Sequence, residues 1–550
     1  MSEAKKSDTA FLLQGSILAM ASLISRVVGL VYRIPLTAII GKTGNDYYGT
    51  AYEIYNIILI ISSYSIPLAV SKLVSARMAR HQYKNASKVL KGSLVFACIS
   101  GGIAALLVFV FADVFTGWLR TPFSAIALRV LSPVLFIVAI VGVLRGFFQG
   151  LNTMVPSAMS QIAEQIVNAV VSVVAAYSLF AFGVKTGEVL NNPECFGAAY
   201  GAAGGTAGTA AGALCALIFM FFVFMVYRKK LKKRVVKDHS NHEETYGNII
   251  KVLLITIIPV LLSTTLYNIS AIIDQYIFKN MVAAQGYGPR QISEWWGVFI
   301  GQYIVLINVP ISISSAIAAS SVPSLTSSKG AEDDKRTRRQ ISLANRFVLI
   351  VGLPCTVGFF VLAQPIMMML FNDTDPVSGM MMRVGAIAIL FYSVSTLSNG
   401  ILQGIDKMHI PVRNAAISLI LQAVLLVILL KQFNLNIYAV IIANAFYAFA
   451  MCVLNQMAVK KYSGATIDIG LAFIRPGISA IIMGVAVFVV YYLMNLVTHS
   501  NIISTIVSIV VGAFLYFVIL ILMKGITEME MMRLPKGQVM VKLAKKIGIM

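Results

Sequence analysis

The sequence is poor in charge, and poorest in negative charge: 22 Asp and Glu stand against 44 Lys and Arg, and together they are only 12% of 550 residues. That is about half the share found in soluble globular chains. A chain of this length would otherwise suggest three or four water-facing domains. With 58% hydrophobic residues and a mean hydropathy of +0.83, no such surface could hide its apolar content. The five cysteines, at 98, 195, 215, 355 and 452, are scattered and odd in number. They imply neither a disulfide framework nor a zinc site. The five histidines, at 81, 239, 242, 409 and 499, lie in loops or at the ends of apolar runs without metal spacing. No nucleophile triad or carboxylate pair stands out, and no cofactor is expected. Gly41-Lys42-Thr43 ends like a phosphate-binding loop, but Leu36 occupies the position that needs glycine. An enzyme is therefore not expected.

What is present is a series of apolar runs of about 20 residues, each long enough to cross a hydrocarbon core of about 30 Å as a helix. They fall near 11–40, 54–76, 92–115, 126–150, 156–183 and 196–227. A second set lies near 249–278, 295–327, 343–371, 380–405, 411–431, 435–459, 470–497 and 501–523. The expectation is an all-α polytopic membrane protein with about fourteen spans, since no alternating pattern of a β-barrel occurs. Walking the loops alternately collects thirty-one basic residues on one side, seven of them between Arg228 and Lys237, and six on the other. Lys and Arg are retained on the cytoplasmic side of short loops, so both termini are expected in the cytoplasm of a cell-membrane protein. The first run carries Arg26, Arg33 and Pro35 and reads as a retained span, not a cleaved leader. The net charge of +22 thus records topology and contact with anionic lipid headgroups, and nucleic acid is not an expected partner.

An internal duplication organises the chain. RVLSPVLFIVAIVGVLRGFFQGLN, Arg129 to Asn152, aligns without a gap to RVGAIAILFYSVSTLSNGILQGID, Arg383 to Asp406, at an offset of 254. Met154 and Met408 then precede Pro156 and Pro411. The two copies close the fourth span of two parallel repeats. The division expected is an N-terminal six-helix lobe over 1–227, a basic linker over 228–248, a C-terminal six-helix lobe over 249–469, an appended pair of helices over 470–524 and a basic tail over 525–550. Within GAAYGAAGGTAGTAAG, glycines recur at four-residue spacing, which predicts close helix packing.

Charges at bilayer depth cost at least about 2.5–3.5 kcal/mol on insertion scales, so each needs a partner, water or a ligand. Arg26 and Arg33, seven apart, project from nearly one helix face. Lys72, Arg145, Glu164 and Asp274 also fall inside expected spans. Two readings stand side by side. In one, Lys72 and Arg145 reach to the interface and Arg26 pairs with Glu164 or Asp274 as structural glue. In the other, the cations line a wet cavity and hold an anionic substrate, with arginine offering a bidentate fork to phosphate.

SRVVGLVYR at 25–33, the stretch from Tyr48-Gly49 through Tyr55 to PLAVSKLVS at 67–75, and RGFFQGLNTMVPSAMSQIAEQ at 145–165 resemble the polysaccharide-transporter branch of the MOP exporter superfamily. Within it they resemble the MurJ/YtgP and SpoVB-like lipid II flippases of Gram-positive bacteria. The resemblance implies two lobes alternating access around a central cationic cavity that takes up the pyrophosphate-sugar head of undecaprenyl-linked peptidoglycan precursor. It also implies a groove for the polyprenyl tail at the appended helices, a lipid-linked oligosaccharide as partner, and a monomer driven by a coupling cation or the membrane potential. Arg26, after Ser25, matches the arginine of the family's Ser-Arg-x-x-Gly motif, Arg33 stands one residue beyond the second arginine, and Lys72 takes the place of a basic residue after Pro-x-Ala-x-Ser. With Arg145 these form the expected substrate site, and Ser25, Glu164 and Asp274 are cavity or coupling candidates. The arginine that such flippases carry in span eight is absent from GQYIVLINVPISISSAIAASS. Other undecaprenyl-linked glycans of capsule or teichoic acid, a MATE-like drug exporter, and a non-transporting cell-wall scaffold are the alternatives.

Overall fold

The computed structural model describes residues 2–238, 243–330, 334–465 and 468–526; most of the expected basic tail, 527–550, lies outside these. Every regular element among the described residues is helical. Among the described residues, eleven helices are long and apolar enough to cross a membrane, or twelve if one bent pair counts as a span. This is a multi-pass membrane protein, and the expected count of fourteen is not reproduced. One difference arises in α1 (Ser2–Leu59), which runs on into α2 (Ile66–Ala79), so that Met20–Ala79 forms one 60-residue apolar segment. At about 1.5 Å per residue such a segment is far longer than the hydrocarbon core. It is not straight: Gly41 has φ 70°, a left-handed value that a side chain would disfavour, and it separates an inner arm from an outer arm. The Asn45 amide closes this break by donating to the Gly41 carbonyl at 2.8 Å. The helix α8 runs over Tyr246–Ala284, and among its described residues Tyr246–Ile258 forms an apolar stretch.

The chain divides into two compact units, Met1–Gly301 and Gln302–Met550. The first contains α1, α2, α3 (Tyr83–Val110), α4 (Ala112–Trp118), α5 (Ser124–Gly150), α6 (Val155–Val189), α7 (Pro193–Val236), α8 and α9 (Pro289–Val298). Its backbone is the antiparallel pair α6 and α7, and the glycine run of α7 explains their closeness. Gly204, Gly208 and Gly212 lie against Ala175, Ser172 and the Glu164 carbonyl of α6, with no room for a Cβ. A quarter turn away, Gly201 and Gly205 receive Ile40, Leu36 and Tyr48 of α1. Two helices are thus seated on one by absent side chains. Because α8 packs on α1, α2 and α3, and α9 on α1, the boundary between compact units falls after α9, whereas the duplication divides the chain at the linker.

The second unit holds α10 (Ile304–Gly330), α11 (Asp334–Val361), α12 (Ala363–Phe371), α13 (Pro376–Gly385), α14 (Ile387–Gly404), α15 (His409–Phe433), α16 (Asn436–Ser463), α17 (Arg475–Thr498) and α18 (Asn501–Leu522). Here α14 packs on α10, α11 and α16, and the hairpin of α17 and α18 lies on α11 and α12. The α18 end is held by arginines: Arg346 donates to the Gly525 carbonyl at 2.6 Å and Arg475 to that of Lys524 at 2.8 Å, where helix carbonyls lack intrahelical partners.

The duplicated motif folds alike in both places. Asn152 and Asp406, the last residues of the aligned copies, take φ 58° and 60°. In the first copy the N–H groups of Leu151, Asn152 and Thr153 donate to Phe147, Gln149 and Phe148; in the second, Ile405, Asp406 and Lys407 donate to Ile401, Gln403 and Leu402. Each acceptor and donor is displaced by the same offset. Gly146 and Gly150 lie against Pro67 and Val74 of α2, and their counterparts Gly400 and Gly404 against Ala318 and Leu325 of α10. The copies differ higher up, where α13 and α14 meet at 41° while α5 runs through Pro133 as one helix.

The linker is pinned to the α2–α3 turn. Arg77, largely buried, pairs with Glu244 at 2.5 Å, Lys88 with Glu243 at 2.7 Å, and Asn85 accepts the Glu244 N–H at 3.0 Å. The hydrogen bond and charge of Lys88 hold the Glu243 carboxyl below its ordinary value of 4.5. A lowered carboxyl contributes above its unfolded value and loses that contribution as pH falls through the folded one. Hydrogen exchange at 83–88 should therefore show less protection at pH 4 than at pH 7, after correction for intrinsic rates, and Glu243→Gln should shrink that difference. Substituting Gly146→Val, which meets the Pro67 backbone, should cost about 1–3 kcal/mol of thermal stability in detergent. Gly117→Ala, with open space around it, should change stability by less than about 0.5 kcal/mol.

Candidate functional site

The inner arm of α1 is fastened to α6 along one face. Ser22 donates to Gln161 Oε1 at 3.3 Å, Ser25 to the Gln161 carbonyl at 3.4 Å, and Asn168 to the Tyr32 hydroxyl at 3.5 Å. Gly29 lies between them against Gln165. Ser25 therefore ties two helices together. Arg26 and Arg33 stand one position round from this face. Measured along the helix at about 1.5 Å per residue, Arg33 lies roughly 12 Å and Arg26 roughly 22 Å from the break at Gly41, both inside the apolar segment Met20–Ala79.

Their surroundings differ. The Arg33 guanidinium lies 4.6 Å from the ring centre of Tyr48 and 5.9 Å from that of Tyr52, and the two rings stack on each other at 5.9 Å. These tyrosines come from the outer arm of α1, folded back by the turn at Gly41. Aromatic faces attract a guanidinium without neutralising it. Arg26 is exposed, and among the described residues neither arginine has a carboxylate partner. Lys72, exposed on α2, likewise has none.

Arg145 is different. Its Nη2 donates to Glu164 Oε2 at 2.7 Å and its Nε to Ser160 at 2.8 Å, with the two charged side chains 14% and 28% exposed. This ion pair crosslinks α5 and α6. Glu164 is thereby the partner of Arg145, not of Arg26 as the structural-glue alternative had it. Glu164 also lies within electrostatic reach of Tyr52 and Tyr55. Ser25 and Arg33 thus lie on α1, which is fastened to α6, and Arg145 and Glu164 join α5 to the same helix.

Asp274 falls elsewhere. It is buried on α8, one residue before Gln275, in a second cluster with Asp46, Thr50, Glu53, Thr121, Lys279 and Ser293. Lys279 lies one residue past the expected span 249–278, yet it is 1% exposed and bonded to Asp46. Asp46 and Glu53 were missed because the second expected span began at 54, after both of them. The available signal was their seven-residue spacing, the same two-turn repeat that marks Arg26 and Arg33.

A family model described as "Polysaccharide biosynthesis protein" matches residues 12–329, and a second, "MatE", matches 297–428. The chain is 25% identical over 504 residues to "Lipid II flippase MurJ" of Bacillus subtilis (strain 168), covering 88% of this chain and 89% of that protein. It is 24% identical over 456 residues to "Stage V sporulation protein B" of the same organism, covering 82% and 84%. Among solved structures, "Lipid II flippase MurJ, inward closed conformation" superposes with a TM-score of 0.64 at 15% identity, covering 91% of this chain and 97% of that one. The resemblance read from the motifs at 25–33, 67–75 and 145–165 is borne out by these matches, as is the all-helical fold.

If Arg145 and Glu164 act as a structural pair, Arg145→Met and Glu164→Gln should each lower thermal stability, and the double variant should lose less than the sum, with a coupling of about 0.5–3 kcal/mol. Arg26→Ala, which removes no partner, should stay within about 0.5 kcal/mol of the parent protein.

Proposed function

The chain belongs to the Polysaccharide biosynthesis protein family, and from that premise we propose that it is a flippase for undecaprenyl-pyrophosphate-linked peptidoglycan precursor, lipid II. The head group moves from the inner to the outer leaflet of a bacterial cell membrane by alternating access, with both termini cytoplasmic. The observation that carries this reading is the pair Arg26 and Arg33: two permanent cations on nearly one helix face of an apolar segment, with no carboxylate partner among the described residues. A diphosphate is the ligand that such a pair suits, because each guanidinium can meet phosphate oxygens through a fork of N–H groups. The tyrosine shelf holds Arg33 from one side and leaves it charged.

The relative named as a lipid II flippase, aligned over most of both chains, supports the same cargo. The physics of the cargo agrees. A sugar-pyrophosphate head cannot cross hydrocarbon unaided, since its polar groups would lose their hydrogen bonds to water, whereas its prenyl tail can stay in lipid throughout. Lys72, exposed and without a carboxylate partner among the described residues, is a further contact for the anionic head. Arg145, already committed to Glu164, serves by holding α5 to α6 beneath the site. Asp274 and its neighbours are the place for coupling to a cation or to the membrane potential. No covalent step is required of the protein.

The test is depletion in the native host followed by measurement of which leaflet holds lipid II. Inward-facing lipid II should accumulate, and the parent gene should restore flipping while Arg26→Ala does not. Arg26→Lys should restore it in part, because lysine keeps the charge and loses the fork. Unchanged lipid II topology, with accumulation of another undecaprenyl-linked glycan, would transfer the function to that glycan.

A further inference from the structure

An apolar groove of about 350 Å³ opens on the first unit between the outer arm of α1, α4 and α8. Ile54, Ile57 and Ile58 form one wall, Ile272 and Ile273 a second, and Phe115 and Leu119 the third. Along α8 the groove runs from Ile272 to Tyr276, where the Tyr276 and Trp118 rings flank it, 52% and 64% exposed. Phe111 and Val114, on the same short stretch as Trp118, are also exposed. A contiguous apolar surface of this kind on a membrane-spanning bundle faces hydrocarbon. A groove in it is filled by a chain, because an empty one would forfeit dispersion contacts along its whole lining.

The aromatic end of the groove carries a cation. α4 stops where the Thr121 N–H donates to the Thr116 carbonyl at 2.9 Å and the Arg120 N–H to that of Gly117 at 3.0 Å. The residue that turns the chain in this way takes a left-handed conformation and is usually glycine, yet here it is Arg120, with φ 51°. The turn alone does not select an arginine. Its Nε donates to Asn280 Oδ1 at 2.7 Å, and the Asn280 amide donates to the Tyr276 carbonyl at 2.9 Å and to that of Trp118 at 3.5 Å. One edge of the guanidinium is thus fixed over the Trp118–Tyr276 end of the groove, while its two Nη groups have no hydrogen-bond partner among the described residues. The neighbouring carboxylates are already answered, Asp113 by Arg129 and Asp46 by Lys279, which also holds Thr121. Arg120 is also one of the six basic residues on the sparsely charged side of the expected spans, where topology does not call for a cation.

We propose that this groove binds one anionic glycerophospholipid, with an acyl chain along Ile54, Ile58 and Ile272 and the phosphate on the Nη groups of Arg120. The two halves match the two halves of such a molecule: a channel without charge, ending at a fork of N–H groups that suits phosphate oxygens. Trp118 and Tyr276 lie between them, as amphipathic rings do at the level of headgroups. Asn280 positions the guanidinium and, being neutral, leaves its charge for the ligand. A zwitterionic phospholipid fills the same groove but brings its own ammonium, so it gains less from Arg120. The site uses neither Arg26 nor Arg33 and does not depend on the cargo; that its leaflet is the outer one rests on the topology proposed above.

The experiment reads Trp118 fluorescence in full-length protein reconstituted into vesicles of phosphatidylglycerol and phosphatidylcholine in equal amounts, with one lipid at a time brominated on its acyl chains. Bromine quenches tryptophan on contact, and subtracting the same measurement on Trp118→Phe removes the contribution of Trp295 and Trp296. Brominated phosphatidylglycerol should quench Trp118 as though it were about fivefold enriched over phosphatidylcholine. Arg120→Gln should bring that ratio to about one, and Arg120→Lys should keep part of it, because lysine holds the charge without the fork. Lys185→Gln, exposed on the same expected side but on α6, which does not line the groove, should leave the ratio unchanged. Loss of the preference in Lys185→Gln would mean general attraction to a cationic protein and would overturn the site. So would a ratio within about twofold of one in the parent protein, or a preference that survives Arg120→Gln.

Discussion

A charge in hydrocarbon has to be answered, and the first unit is arranged around the different ways of answering it. Arg145 is met by a carboxylate, Glu164, and the pair becomes a fixed strut between α5 and α6. Lys279 is met by Asp46 inside a shell of hydroxyls and an amide, each bond joining a different piece of chain. Arg33 is met by aromatic faces, which attract the cation and leave its charge in place. Arg26 is met by nothing among the described residues. The same electrostatic demand thus yields a structural crosslink, a buried and hydrogen-bonded ion pair and, among the described residues, a cation without a carboxylate partner. These roles follow from how completely each cation is neutralised and desolvated.

Those placements depend on how closely the helices approach. Where Gly204, Gly208 and Gly212 remove side chains from α7, α6 comes near enough for Ser172 to reach the Gly205 carbonyl at 2.8 Å, and α6 then presents Gln161 and Asn168 to α1. The outer arm of α1 can turn back over Arg33 because Gly41 takes a left-handed conformation and Gly205 leaves space for the Tyr48 ring. In the second unit the repeated pair Gly400 and Gly404 brings α14 onto α10 as Gly146 and Gly150 bring α5 onto α2. The duplication therefore preserves a packing device, a glycine face ending in an Asn or Asp that stops the helix.

Much of this was legible before any coordinates. Apolar run length located the helices, because a membrane span must be about 20 residues long whatever surrounds it. The boundaries blurred where helix continues through a break, as at Gly41 and between the bent α13 and α14, since hydropathy does not register a change of direction. Ser25, Arg26, Arg33, Lys72, Arg145, Glu164 and Asp274 could all be singled out because ionisable or motif residues in an apolar run are conspicuous. Asp46, Glu53 and Lys279 escaped notice because they sit near the ends of runs, where a charge normally lies in water or among headgroups and attracts no suspicion.

The amino-acid sequence by itself determined the class of molecule, the positions of the spans, the internal repeat and the identity of the cations that need explanation. These properties depend on composition, period and local backbone preference, all carried along the chain. Which cation is paired, which is caged and which is left open was decided only by the tertiary structure. Pairing depends on residues brought together across 19 positions for Arg145 and Glu164 and across 233 for Asp46 and Lys279. The energy of a charge is set by what lies within a few ångströms of it, and that neighbourhood exists only after the helices have packed.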